Sequence, residues 1–428
     1  MKEINVIGAG LAGCECALQL AKFGLKVKLF DIKPKKFSPA HNSPNFSELV
    51  CSNTLKSSSL EFATGLLKEE LRVLGSEVID CADKCKVESG DALAVNRELF
   101  SEMVTEKIKS NKDIEVVCKE VTKLEKDAVT VVATGPLTSD ELAKEIQSLV
   151  GDRLYFYDAI APIVEAESID ISKAFFADRW SIEKGAHLNC PLNKEEYTTF
   201  WEALTSAKRA QLREFEKNFE GCLPLEVMAK RGFDVLRFGP MKPVGFTHLK
   251  EQPFAVLQLR KENADGTMYN LVGCQTNLTY PEQKRVFSLV PALKNAKFLR
   301  YGSMHRNSFI NAPKVLNNNF SLKSNPNIFF AGQLSGVEGY VESIASGLLC
   351  AIFVNQYLHS QKKLPTIKTA IGGLANYLVS ASEYNFQPMH INWGLIAPIE
   401  APRNIKRQEM VKRALKEIKE YKEEIWKN

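Results

Sequence analysis

Three glycines at Gly8, Gly10 and Gly13, in the run Val6-Ile-Gly-Ala-Gly-Leu-Ala-Gly13, have the spacing that seats a pyrophosphate. Gly8 permits a tight turn, Gly10 lets a phosphate approach the backbone, and Gly13 lets a helix pack close to a strand. Ala9, Leu11 and Ala12 complete the turn. Its amide groups open a helix whose dipole favours negative charge. Asp31 lies 23 residues after Gly8, the place of an acid that binds an adenosine ribose hydroxyl. Two cysteines stand in polar, turn-rich settings that suit a reactive thiol: Cys51 in Glu48-Leu-Val-Cys-Ser-Asn-Thr54 and Cys222 in Phe219-Glu-Gly-Cys-Leu-Pro-Leu-Glu226. His305 and Arg306 are polar groups between apolar segments, suited to an anion, a base or a structural role.

The elements that must position these residues read as follows. Residues 3–31 predict strand, turn, helix and strand, with Gly24 ending the helix. Phe37–Ser59 reads as a long Ser/Pro/Asn-rich loop, and a loop of this length in a compact protein is usually functional or disordered. Leu60–Leu74 and Ala92–Ser110 read as helices, Glu115–Val121 and Ala128–Val132 as strands. The segment 155–299 changes character, with a long polar helical stretch at Lys194–Phe219. Strand–turn–helix returns at 327–353, where Phe329-Phe-Ala-Gly332-Gln333 matches a late strand that points the next helix at a flavin ring, favouring FAD over NAD. Such strands commonly end in Gly-Asp; here the pair is Gly332-Gln333. The fold class expected is α/β: a Rossmann-like, glutathione-reductase-like FAD-binding domain with an inserted α+β domain. The divisions expected are 1–155 and 300–428 for the FAD-binding domain and 156–299 for the insert.

Composition excludes several classes. With 428 residues, 45% hydrophobic and 25% charged, the chain is not disordered, collagenous or a coiled coil. No uncharged apolar run approaches a membrane span, and no export signal precedes the glycine turn. Ten scattered cysteines suit a reduced cytoplasmic protein without a disulfide framework, and no spacing suggests a metal site. Cys14, Cys16, Cys118 and Cys350 sit in apolar patterns and read as packing residues. Lys33, Lys35 and Lys36 read as a solvated face. The net charge is +5, and the stretch from Ala401 to Asn428 holds nine basic and five acidic residues. That tail reads as an amphipathic helix docked on the body, with RNA or partner contact as the second reading.

Longer motifs carry a resemblance. Glu48-Leu-Val-Cys-Ser-Asn53, Gly65-Leu-Leu-Lys-Glu-Glu70, Ala133-Thr-Gly-Pro-Leu-Thr-Ser139, Tyr155-Phe-Tyr-Asp158, Phe238-Gly-Pro-Met-Lys-Pro-Val-Gly245, Glu282-Gln-Lys-Arg-Val-Phe287, Met304-His-Arg-Asn307 and Gly336-Val-Glu-Gly-Tyr-Val-Glu-Ser343 run along nearly the whole chain. With the glycine turn, they resemble the bacterial folate- and FAD-dependent tRNA (uracil-5-)-methyltransferases, the TrmFO family. The resemblance implies FAD, 5,10-methylenetetrahydrofolate as carbon donor, NAD(P)H as reductant, and 5-methyluridine as product, typically at uridine 54 of the tRNA T-loop. It implies two functional cysteines, matching Cys51 and Cys222, and a tyrosine that covers the flavin, matching Tyr340. Members are often homodimers, and no membrane is involved. Asp31 stands where the family usually has glutamate, Asn42 where a second histidine is common, and Cys274 where an aromatic is usual.

The chemistry calls for such parts. Uracil C5 is a poor nucleophile, and a thiolate adding at C6 makes it enolate-like. Cys222 is expected to be that nucleophile and Cys51 to act near the flavin as a base or second thiol, with the reverse assignment open. Two other readings stand beside tRNA methylation: the same chemistry on a 23S ribosomal RNA uridine, and a flavin oxidoreductase or GidA-type wobble-modification flavoprotein.

Overall fold

A computed structural model describes residues 3–426 apart from 39, 152, 160, 181–184, 211–222, 247, 248, 250, 262–265, 303, 385 and 403; for 153–159 and 304–307 it describes the backbone alone. Five strands form a parallel sheet in the order Ile328–Phe330, Thr130–Val132, Glu3–Ile7, Lys26–Asp31 and Ile114–Cys118. These are short, β-branched and aromatic runs, as strands covered on both faces require. The helix Leu11–Lys22 buries every residue from Leu11 to Ala21. It packs against the helix Tyr340–Leu358, where a Cβ on Gly347 would stand 2.2 Å from the Ala12 carbonyl oxygen. Only a glycine lets the two backbones approach so closely. Tyr340–Leu358 is long and apolar enough to cross a membrane by length and composition, but 83% of its apolar window is buried inside the protein, as in a core helix.

Buried polar groups tie the surrounding helices to this core. Glu15, fully buried on the first helix, accepts from the Ser76 hydroxyl and the Val78 amide, both at 2.8 Å, at the start of the helix Glu77–Lys84. Glu70, fully buried on the helix Ala63–Leu74, accepts from the Ala370 and Ile371 amides at 2.7 and 2.8 Å, at the start of the helix Ala370–Ser380. A side-chain carboxyl group at a helix N-terminus satisfies amides that have no intrahelical partner.

A second, antiparallel sheet forms the inserted α+β domain. Its strand order is Phe175–Phe176, Leu188–Leu192, Ala255–Lys261, Met268–Leu271, Ile163–Glu165 and Phe298–Arg300. Leu188, Cys190, Leu257, Leu259 and Leu271 on one face pack with Tyr197, Phe200 and Phe287 into a separate core. The helix Lys194–Ser206 starts at a capping box between Asn193 and Glu196. The chain leaves the parallel sheet and returns to it through two paired antiparallel strands, Arg153–Ala159 and Met304–Ile310.

Several sequence expectations need correction. Ala92–Val95 is a strand, not the start of a helix; it pairs with Thr54–Ser57 and Lys86–Val87. The helix begins at Arg97 because the Asn96 side chain caps the Glu98 and Leu99 amides at 3.1 and 3.2 Å. The polar helix at Lys194 ends at Ser206, and Arg209 bridges to Leu278. The tail helix Lys406–Trp426 docks as expected, burying Met410, Val411, Ala414, Ile418 and Tyr421, while Trp426 stacks on Phe23 with ring centroids 4.6 Å apart.

Candidate active site

The glycine turn is built by backbone contact. Gly8 has φ +102°, and a Cβ there would lie 2.6 Å from the Ala133 carbonyl oxygen. A Cβ on Gly13 would lie 1.8 Å from the Gly8 carbonyl oxygen, so the helix can start this close to the strand only with glycine there. Gly10 is the opposite case, with no atom within 4 Å of a Cβ. The helix that follows it has no side-chain cap, so its first amides keep their hydrogen-bonding capacity for another acceptor. Asp31 braces the turn, its carboxylate accepting from the Ala9 amide at 2.7 Å and the Lys33 amide at 2.9 Å.

These residues open onto a cleft at the carboxyl ends of the parallel strands. Gly8, Ala9, Gly10, Leu11, Ala12, Asp31, Gly332, Gln333 and Tyr340 all line it; Gly13 lies beneath the turn and does not. This is where open α/β sheets bind ligands. The cleft fits a dinucleotide such as FAD by two features: the open approach over Gly10 and the uncapped helix start. Gly332 (φ +72°) turns the late strand so that its backbone amide donates to the Ser346 hydroxyl at 2.6 Å, and the Gln333 side-chain amide donates to the Glu338 carboxylate at 2.7 Å.

The polar segment after the second strand is ordered by backbone contacts. The Ser47 amide donates to the Ala9 carbonyl at 3.0 Å, and the Phe46 amide to the Thr105 hydroxyl at 2.8 Å. Glu48 accepts from the Asn42 and Ser43 amides at 3.0 and 3.1 Å. Lys33 departs from the solvated-face reading: it is buried, its ammonium donates to the Asn45 carbonyl, and it lies 5.9 Å from the Phe46 ring centre. A single ammonium on a long apolar stem can satisfy both demands. His41, 2.5 Å from the Ser38 hydroxyl, lines the same cleft, and burial, followed by the Lys33 charge, pushes its pKa down. At neutral pH its ring is therefore uncharged.

Cys51 sits half-buried one residue past Val50, which lines the cleft; Cys51 itself does not. The Tyr340 hydroxyl accepts from the Cys51 amide at 2.8 Å and the Ser52 amide at 3.2 Å. Burial pushes the Tyr340 pKa up, with negative charge at Cys51 adding to it, so the hydroxyl stays neutral. Arg97 donates to the Leu49 carbonyl and, at 3.3 Å, to the Cys51 carbonyl. Arg260, from the inserted sheet, reaches the Ser52 hydroxyl at 2.6 Å and the Asn53 side-chain oxygen at 3.1 Å. Next to Tyr340, the buried Glu342 carboxylate lies 3.6 Å from the Lys56 ammonium, which is 2.8 Å from His390.

The structure thus brings Cys51 together with Tyr340 and the cleft. Cys222 lies outside the described residues, and so do the side chains of His305 and Arg306. Sequence reasoning missed Arg97 and Arg260. The available signal was a charged residue inside an otherwise apolar strand pattern, Ala255-Val-Leu-Gln-Leu-Arg260.

Fold and cleft define a class. A family model described as "Glucose inhibited division protein A" matches residues 3–362. The structure of GidA from Aquifex aeolicus superposes with a TM-score of 0.72 over 99% of this chain and 75% of that one, at 16% identity. More similar in sequence is a protein of Acetivibrio thermocellus named methylenetetrahydrofolate–tRNA-(uracil-5-)-methyltransferase TrmFO, 54% identical over 98% of each chain. Its namesake in Pelotomaculum thermopropionicum is 50% identical over 99% of each. The chain belongs to the TrmFO family of enzymes.

Proposed function

We propose that this protein methylates C5 of a uridine in tRNA, at position 54 of the T-loop, with methylenetetrahydrofolate as carbon donor and FAD reduced by NAD(P)H. The observation that carries the reading is the seat of Cys51. Its amide is bound by Tyr340, a residue that lines the nucleotide cleft, so a thiol-bearing loop is fixed beside the cleft. The names of the relatives supply the substrate class.

In this reading Gly10, Leu11 and Ala12 hold the FAD pyrophosphate and Asp31 its ribose, while Gln333 and Tyr340 serve the isoalloxazine end. Bound there, FAD supplies the reducing equivalents that turn the one-carbon unit into a methyl group. The chain's own work concerns the uracil. One thiolate adds to C6, breaking the C5–C6 double bond and placing negative charge on C5 and O4. C5 then bonds the carbon delivered from folate, a base removes the C5 proton as that carbon's bond to nitrogen breaks and the nitrogen takes up a proton, a hydride equivalent completes the methyl group, and expulsion of the thiolate restores the double bond. Cys222 is assigned the attack and Cys51 the role of base or second thiol. The glycine and proline flanking Cys222 in sequence, and the polar residues flanking Cys51, suit partial exposure.

The test combines purified holoenzyme, labelled methylenetetrahydrofolate, NADPH and unmodified tRNA. Label is expected in 5-methyluridine of a T-arm minihelix. Label in a 23S rRNA fragment instead would move the target, and reduction of the flavin with no carbon transfer to either RNA would overturn the reading. Covalent capture by 5-fluorouridine RNA assigns the thiols: it should vanish in Cys222→Ala and persist in Cys51→Ala, and the converse would exchange their roles.

A further inference from the structure

The inserted sheet has two chemically different faces. Leu257 and Leu259 on the strand Ala255–Lys261 point into the insert's core. Alternation sends Gln258 and Arg260 to the other face. There Gln258 donates to Asn189 at 2.8 Å and accepts from Arg179 at 3.2 Å, and Arg260 stands opposite Asn270 on the neighbouring strand. This polar row meets the Cys51 segment. Arg260, only 7% exposed, donates to the Ser52 hydroxyl and the Asn53 side-chain oxygen. Asn53 is fully buried; its amide nitrogen donates to the Lys261 carbonyl at 2.8 Å and the Val95 carbonyl at 3.2 Å, and its own carbonyl accepts from the Val95 amide at 2.9 Å.

We propose that Arg260 of the inserted domain, acting through Ser52 and Asn53, is a positioning residue that sets the place of Cys51 relative to the cleft. The inference rests on the reading of Cys51 as a working thiol. Anchors from both sheets hold the short segment Leu49–Asn53. Tyr340 binds two amides, Arg97 binds two carbonyls, and both belong to the parallel-sheet side. From the other sheet come the Lys261 carbonyl, which accepts from Asn53, and the Arg260 side chain, and a buried guanidinium with a fixed fork of donors fixes distance and direction together. A movement of the insert is therefore transmitted to the residues directly after the thiol. Lysine keeps the charge but cannot span two acceptors in that geometry.

The experiment compares FAD-loaded wild type, Arg260→Lys and Ser52→Ala. Ser52→Ala removes one acceptor and leaves the arginine, so it still reports if the lysine variant fails to fold. Peptide-resolved alkylation by iodoacetamide should speed up at Cys51 by about fivefold, as local opening of the segment rises, with flavin content per chain unchanged. On tRNA, kcat should fall about tenfold while KM stays within about twofold, since misplacement of a reacting group costs rate rather than binding. Wild-type Cys51 alkylation and kcat in both variants, or a loss of activity that only tracks loss of flavin, would overturn the proposal. Alkylation needs no RNA, so it still judges the clamp if the wild type fails to methylate tRNA, a failure that would fall on the functional reading alone.

Discussion

The two sheets solve different problems with different interactions. The parallel sheet makes its cleft from backbone: glycines at van der Waals limit, carbonyls and amides in contact, and strand ends that stop together. The antiparallel sheet of the insert makes a core rich in rings, with Tyr197, Phe233 and Phe254 in mutual contact and Phe200 against Phe287. A backbone-built site tolerates almost no added atom where chains touch, whereas a ring-built core tolerates no atom removed. The two meet at Arg260 and Asn53, beside the residue assigned to chemistry. The largest effect should therefore come from that meeting point. Cys51→Ala is expected to lower turnover on tRNA by ~10³ or more with little change in melting temperature, because Tyr340 and Arg97 hold Cys51 by its main chain, which alanine keeps, and Ser52 and Asn53 are unchanged. A variant that retained turnover within about tenfold would remove Cys51 from the chemistry.

Phe200→Ala tests the independence of the two cores. Phe200 is fully buried, and its loss should cost the insert ~3–5 kcal/mol. Flavin absorbance of the purified protein should survive while tRNA methylation fails. Loss of flavin together with the insert would show that the cleft depends on the second core.

Two glycines test the backbone-built site. Gly13→Ala forces a methyl group into the Gly8 carbonyl and should destabilise the protein by ~1–3 kcal/mol with loss of flavin. Gly10→Ala meets no protein atom, so thermal stability should hold while flavin affinity falls. Equal losses in both would mean that the open approach over Gly10 is not where the phosphates lie. This turn was legible in the sequence because its logic is local: strand, three glycines, helix and acid within 29 residues, Glu3 to Asp31. The Cys51 clamp was not legible as a clamp. Tyr340 is 289 positions from Cys51, and Arg260 is 208 from Ser52, so nothing in the local pattern joins them. The motif residues Ser52 and Asn53 were visible, but their partners follow only from how the insert folds back. Lys33 was misread for a related reason: three lysines in a row of four positions look solvated, and only tertiary contact with Asn45 and Phe46 buries one of them.

The smallest predicted effect compares one buried carboxylate from each core. Glu70 links two helices in the first core, and burial pushes its pKa up to about 8, against the opposing pull of the Ala370 and Ile371 amides. Glu226 in the insert is also raised by burial, but there the Asn277 amide, the Thr276 hydroxyl and the charge of Arg209 all favour the ionised form. For a raised carboxyl, the stabilisation is fully present below the unfolded value near 4.5 and is lost as pH rises through the folded one. Between pH 6 and 7 the folded state keeps the Glu70 proton that the unfolded chain has released, so each pH unit costs about 1 kcal/mol relative to Glu70→Gln. Melting curves of wild type and Glu70→Gln should converge or cross as pH rises over that interval, and the Glu226→Gln pair should shift less. A flat difference for Glu70→Gln would mean that the two helix amides hold this carboxylate ionised throughout, and that the first core, like the cleft above it, is set by backbone contact even at a deeply buried acid between helices.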